Sequence, residues 1–196
     1  MSPTNPSTYH ILSYGTLLGT SIFQSFVGGI LSYRALPRPQ FATLQSALFP
    51  TYFGMQTILY PSPSLHHNSP TLTNPSPIIM ALTYKSTSVT SPSVTHGFKA
   101  LLNAPSQAPL YAMTGMAFCG LTNWLILGPL TTSTMKTRKH QETKDGKKYY
   151  ENGPQSKEMQ ALNTKFSWLH GISSTINTIE MGVMFWYGSV LASRLV

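Results

Sequence analysis

Apolar residues in this 196-residue chain gather into long uncharged stretches, and the charges gather between them. Tyr9 to Tyr33 holds no Lys, Arg, Asp or Glu, and neither does Leu110 to Met135. Phe166 to Ser193 holds a single acid, Glu180. A spanning helix needs roughly 20 apolar residues, and each of these stretches is long enough. A shorter fourth stretch, from about Thr43 to Tyr60, carries Pro50 near its start, where proline is tolerated. The pattern predicts an all-α polytopic membrane protein with about four transmembrane helices in an antiparallel bundle. The helices are expected near 9–33, 43–60, 110–130 and 166–193, within one domain spanning 1–196.

The connecting segments read differently. Residues 61–107 begin with a Pro- and Ser-rich run and contain one short apolar piece, Ile78 to Leu82. They are expected to be an irregular loop or insertion without a packed core. Residues 131–165 read as a basic loop, punctuated by Gly146, Gly153 and Pro154. Ser156 to Lys165 looks like a short amphipathic lead-in to the last helix.

Charge adds a topology. Only 9% of residues are charged, the net charge is +8, and all five acids lie at Glu142 or later. Mean hydropathy is close to zero because the polar connectors dilute the apolar stretches. Arg34 and Arg38 flank the first connection, and the third holds the dense basic cluster. The positive-inside rule then puts 34–42 and 131–165 in the cytosol and both termini opposite. Basic residues placed beside spans speak for a bilayer partner and against nucleic acid. The start lacks a basic leader region, so the first span is expected to act as its own insertion signal. Cys119 is the single cysteine, which excludes an intrachain disulfide.

Five blocks taken in order resemble a known family. They are Phe26-Val-Gly-Gly-Ile-Leu-Ser-Tyr-Arg34-Ala-Leu-Pro37-Arg38, then Phe41-Ala-Thr-Leu-Gln-Ser-Ala-Leu-Phe49-Pro50-Thr-Tyr-Phe53. Asn123-Trp-Leu with Gly128-Pro129-Leu-Thr-Thr, Arg138-Lys-His-Gln-Glu142, and Leu169-His170-Gly171-Ile-Ser173-Ser174 with Asn177 follow. The set resembles the transmembrane-protein-205-like family, most closely its fungal members, over about residues 12–57 and 108–194. The resemblance implies a four-helix membrane protein without established enzymatic activity. Some animal members are associated with tolerance of platinum drugs and with vesicle traffic. In similar proteins the second helix continues directly after a pair like Gln56-Thr57, so Ile58 to Pro77 looks like an insertion that splits it.

The last helix carries the candidate chemistry. His170, Ser173, Ser174, Asn177 and Glu180 recur at three- and four-residue spacing and are expected to form one polar stripe facing other helices. Glu180 lies near mid-span, where a lone acid marks a functional candidate; it is expected to be neutral and hydrogen-bonded inside the bundle. On the first helix Gly15 and Gly19 form a G-x-x-x-G pair, and Ser21, Ser25, Gly28 and Ser32 share a face. Small residues allow close helix approach, within the chain or in a homo-oligomer. Met113, Met116, Cys119, Met181 and Met184 could offer soft ligands, but apolar packing is the expected role, and no metal or cofactor is expected. His66-His67 reads as a solvated loop pair. No Gly-x-Ser-x-Gly, phosphate-binding loop or zincin motif occurs, so no enzyme is expected. The role expected is a membrane scaffold or trafficking-associated component, with a small transporter or channel using the stripe as the alternative.

Overall fold

The computed structural model describes residues 6–57, 77–87 and 94–193. Of the proposed insertion at 58–77, residues 58–76 lie outside them, as does the His66-His67 pair.

The first helix runs unbroken through α1 (Pro6–Ile22), a π-helical turn (Phe23–Gly28) and α2 (Gly29–Ala35). It stops because Pro37 drives Leu36 into extended backbone, φ −109° and ψ 140°. α3 (Arg38–Thr57) follows at once. It begins earlier than the apolar pattern suggested, so Pro50 lies inside the helix rather than near its start. After it come α4 (Pro77–Thr83) and a two-stranded antiparallel ribbon of β1 (Lys85–Thr87) and β2 (Val94–His96), in which Ser86 pairs with Thr95. Next are α5 (Gly97–Leu102), α6 (Ala108–Thr122), a second π turn (Asn123–Leu127) and α7 (Gly128–Asp145). The last helix, α8 (Lys157–Ala192), has 36 residues and so extends about 54 Å.

The segment 61–107, expected to be an irregular loop, contributes to the core where it is described. Met80 and Tyr84 beside α4, and Ala100, Leu101 and Ala104 around α5, pack with Leu17, Met113, Met116, Met184 and Tyr187. α4 lies against both α1 and α6. A seven-residue apolar helix is too short to show a clear period, which is why the sequence pattern under-read it.

The basic segment 131–165 is not a loop throughout. α7 carries it as helix to Asp145, and Gly146 ends it in the left-handed conformation at φ 62°. Ser156 then caps α8 by accepting from the Met159 backbone N–H at 3.1 Å, and its hydroxyl donates to Asp145 at 2.6 Å. Two helix ends are thus tied by one serine. Helical charge patterns without apolar periodicity look like loop in a sequence.

Pairings between helices fix their directions. Ascending α8, Ser173, Asn177 and Met184 meet Asn123, Ser25 and Tyr14 respectively. From Ser25 to Tyr14 the numbers fall along the first helix as they rise in α8, so these helices are antiparallel. Arg38 lies over the Tyr33 ring, 3.8 Å from its centroid, and its charge also acts on Tyr149. The first connection and the 147–156 segment therefore occupy the same end of the bundle. Among the described residues, one helix, Ala108–Asp145, is long and apolar enough to cross a membrane by length and composition. The other long helices are diluted by Ser, Thr, Gly, Gln and Asn.

Candidate functional site: a polar centre flanked by two π turns

Both π turns end on glycine for the same reason. The Gly29 N–H reaches back to the Gln24 carbonyl, and the Gly128 N–H to the Asn123 carbonyl, each closing a five-residue turn. A Cβ at Gly29 would lie 3.0 Å from the Gln24 oxygen, and one at Gly128 would lie 2.9 Å from the Asn123 oxygen. Pro129 adds a cause to the second turn: it has no N–H to donate and its ring crowds the carbonyl four residues back. Widened turns of this kind recur at functional sites.

Each turn aims a polar side chain inward. Ser25, in the first, accepts from Asn177 Nδ2 at 2.9 Å. Asn123, in the second, accepts from the Ser173 hydroxyl at 2.8 Å through Oδ1. α3 supplies the rest. The Tyr52 hydroxyl donates to Asn177 Oδ1 at 2.8 Å. Gln56 Nε2 approaches Asn177 Oδ1 at 3.1 Å, the Tyr52 oxygen at 2.9 Å and Ser21 Oγ at 3.3 Å. The close approach of α3 and α6 needs Gly120, where a Cβ would come within 2.6 Å of Thr57 Cγ2. One turn above Asn177, Glu180 is wholly buried, and among the described residues neither carboxylate oxygen has a hydrogen-bond partner. Its charge reaches Tyr52 and Cys119.

The expected five-residue stripe therefore divides. Ser173, Asn177 and Glu180 point inward, whereas His170 and Ser174 are exposed. His170 stacks on Phe166 at 5.8 Å, and Ser174 accepts at its carbonyl from Thr178. At 100° per residue, Ser174 lies about a quarter turn or more from the inward face. The expected hydrogen bond to Glu180 is absent among the described residues.

The family-like positions have varied surroundings. Arg34 is exposed in the last turn of α2, Phe49 stacks on Phe53 at 5.6 Å, and Gly171 faces open space. Gly15 and Gly19 also face open space. Ser21 is fully buried and Ser25 is bonded to Asn177, so both serve packing within the chain. Gly28 meets its own helix's Phe23 ring. Met113, Met116, Cys119, Met181 and Met184 are all buried, and no group of three or more His, Cys, Asp or Glu that could hold a metal occurs among the described residues.

Below the polar centre, Arg138 stands between the rings of Tyr149 and Phe166, at 3.9 and 4.5 Å. Burial lowers the Arg138 pKa, with Tyr149 and Glu142 opposing. Burial raises that of Tyr149 against the pull of Arg138 and Arg38. Above the centre, His10 bonds the Met80 carbonyl through Nδ1 at 2.9 Å and Tyr187 through Nε2 at 2.6 Å. Sequence reasoning missed His10, Tyr52, Gln56 and both π turns. One signal was present: an amide residue followed by glycine five positions later, in Gln24–Gly29 and again in Asn123–Gly128.

Comparison with known proteins adds a family. The model of a domain of unknown function, DUF4149, matches residues 12–61 and 72–140, passing over the middle of the proposed insertion. A protein of Aspergillus fumigatus named "Xanthocillin biosynthesis cluster protein D" is 53% identical over 53 residues, 27% of this chain. The chain covers 34% of that relative's length, about a third. No solved structure matches.

Proposed function

Because the chain belongs to the family of the domain of unknown function DUF4149, whose name supplies no activity, we propose a function from the distribution of its side chains. The protein is a multi-pass integral membrane protein of the transmembrane-protein-205-like kind, acting as a non-enzymatic scaffold or trafficking-associated component. One observation carries this reading: large apolar side chains lie exposed along the helices while polar ones are buried between them. Phe23, Phe26, Leu31, Phe118, Leu125 and Trp168 are exposed, while Ser21, Gln56, Asn123 and Glu180 have almost no exposed surface. Water rewards the opposite arrangement, whereas lipid favours polar side chains turned toward other helices.

The reading takes α1–α2, α3, α6–α7 and α8 as four passes. The basic end, with Arg34, Arg38 and the α7–α8 hairpin, then faces the cytosol. The relative's name, a biosynthesis cluster protein, supports a role beside such a pathway. Alkaline carbonate extraction tests the membrane assignment. The protein is expected to stay with the membrane pellet, and release into the supernatant would overturn the reading.

A second reading, a small transporter, is favoured by one feature. Glu180 is a buried acid with neither oxygen bonded, which is costly for a purely structural role.

A further inference from the structure

We propose that Glu180 and Gln56 form an intramembrane binding site for one exchangeable proton, carried on the Glu180 carboxyl. This deepens the second reading and rests on α8 being embedded in the membrane.

Among the described residues, three acceptor oxygens lack a donor at one level of the bundle: both oxygens of Glu180, and Oε1 of Gln56. Glu180 is 0% exposed and Gln56 is 1% exposed. The two sit within a helical turn of the same Asn177, to which the Gln56 amide bonds. Unmet buried acceptors of this kind are rare in folded proteins. A proton on Glu180 converts one of the three acceptors into a donor and reduces the imbalance. The one orphaned donor of α3, Gln45 Nε2, is seven residues below Tyr52, about 10 Å along the axis.

The neighbours exclude simpler partners. Among the described residues, Tyr52 from α3 and Cys119 from α6 are the titratable side chains near enough to feel a charge on Glu180. The groups facing this level from the π turns, Ser25 and Asn123, are uncharged. Arg138 is held between Tyr149 and Phe166; Phe166 precedes Glu180 by about 21 Å along α8. Three orphan oxygens fall short of the six or more that a hard divalent cation takes, whereas a proton needs one carrier and one acceptor. Since Glu180 is sealed, loading requires α8 to move against α3. The two π turns flank this level, and each supplies one of its hydrogen bonds.

The test labels purified full-length protein with dicyclohexylcarbodiimide, which adds to protonated carboxyls in apolar surroundings, and maps adducts by peptide mass spectrometry. Wild type and C119A, which removes the competing thiol, are expected to carry the adduct on Glu180, and E180Q is expected to carry none there. The rate should fall roughly tenfold per pH unit on the alkaline side and be unchanged when sodium chloride replaces choline chloride. Q56L should change the rate at fixed pH while its thermal transition persists. Protein that resists carbonate yet shows no adduct at any pH, a pH-independent rate, or protection by sodium would overturn the proton site alone. Release by carbonate would remove both this site and the membrane reading beneath it.

Discussion

Tyr52 and Asn177, 125 positions apart in the chain, share a 2.8 Å hydrogen bond at the centre of the bundle. Asn177 also takes Gln56 on the same oxygen and gives its amide to Ser25. One side chain thus joins α8, α3 and the first π turn.

Removing it should be costly. Asn177→Leu leaves Tyr52, Gln56 and Ser25 short of partners and is expected to destabilise by about 1–3 kcal/mol. The exposed Ser174→Ala should be near neutral on the same helix. Thermal unfolding in detergent compares the two, and equal midpoints would show that the network contributes nothing.

Glu180 should behave in the opposite sense. Among the described residues neither oxygen has a partner to strand, so Glu180→Leu relieves a buried polar group and is expected to stabilise by roughly 1–3 kcal/mol. Glu180→Gln should stay close to wild type. A lower unfolding midpoint for the leucine variant would reveal a partner for the carboxyl.

Glycine positions give a graded test. Gly120→Val pushes against Thr57 and the Gln56 backbone and should cost about 1–3 kcal/mol. Gly171→Ala meets open space and should gain up to about 1 kcal/mol of helix propensity. If both variants unfold at the same midpoint, the α3–α6 contact is looser than described.

Topology can be read by labelling. In a C119A background, cysteines placed at Lys144 and at Asn103 should react with an impermeant maleimide from opposite sides of sealed vesicles. Reaction of both from one side would exclude an odd number of crossings between them.

The insertion should be dispensable within narrower limits than the sequence suggested. Residues 62–71 fall outside the family match, and their deletion is expected to leave membrane-inserted protein intact. Pro77 is buried at the start of α4, so a deletion reaching it should cost expression. Loss of inserted protein with the shorter deletion would make 62–71 structural.

Helical character was legible because uncharged length survives in composition. The inward half of the polar stripe was legible too, since Ser173, Asn177 and Glu180 keep helical spacing. Its outward half was not: His170 and Ser174 have similar spacing, and the choice of face depends on which neighbours arrive. The partners from α3 were hidden for that reason. Tyr52 and Gln56 are one turn apart within an apolar run, and nothing local marks the Asn177 they meet. α4 and the helical α7 were missed because a short helix lacks a full period and a charged one lacks an apolar stripe.

The π turns also act as phase shifters. Each holds one residue more than an α-helical turn needs, so everything beyond it is rotated by about 100° relative to an unbroken helix. In the second, removing one residue between Asn123 and Gly128 would restore regular winding and swing Thr134 and Arg138 away from the interior they occupy. The count of residues between Gln24 and Gly29, and between Asn123 and Gly128, cannot change without turning the charged end of the protein to face the wrong way.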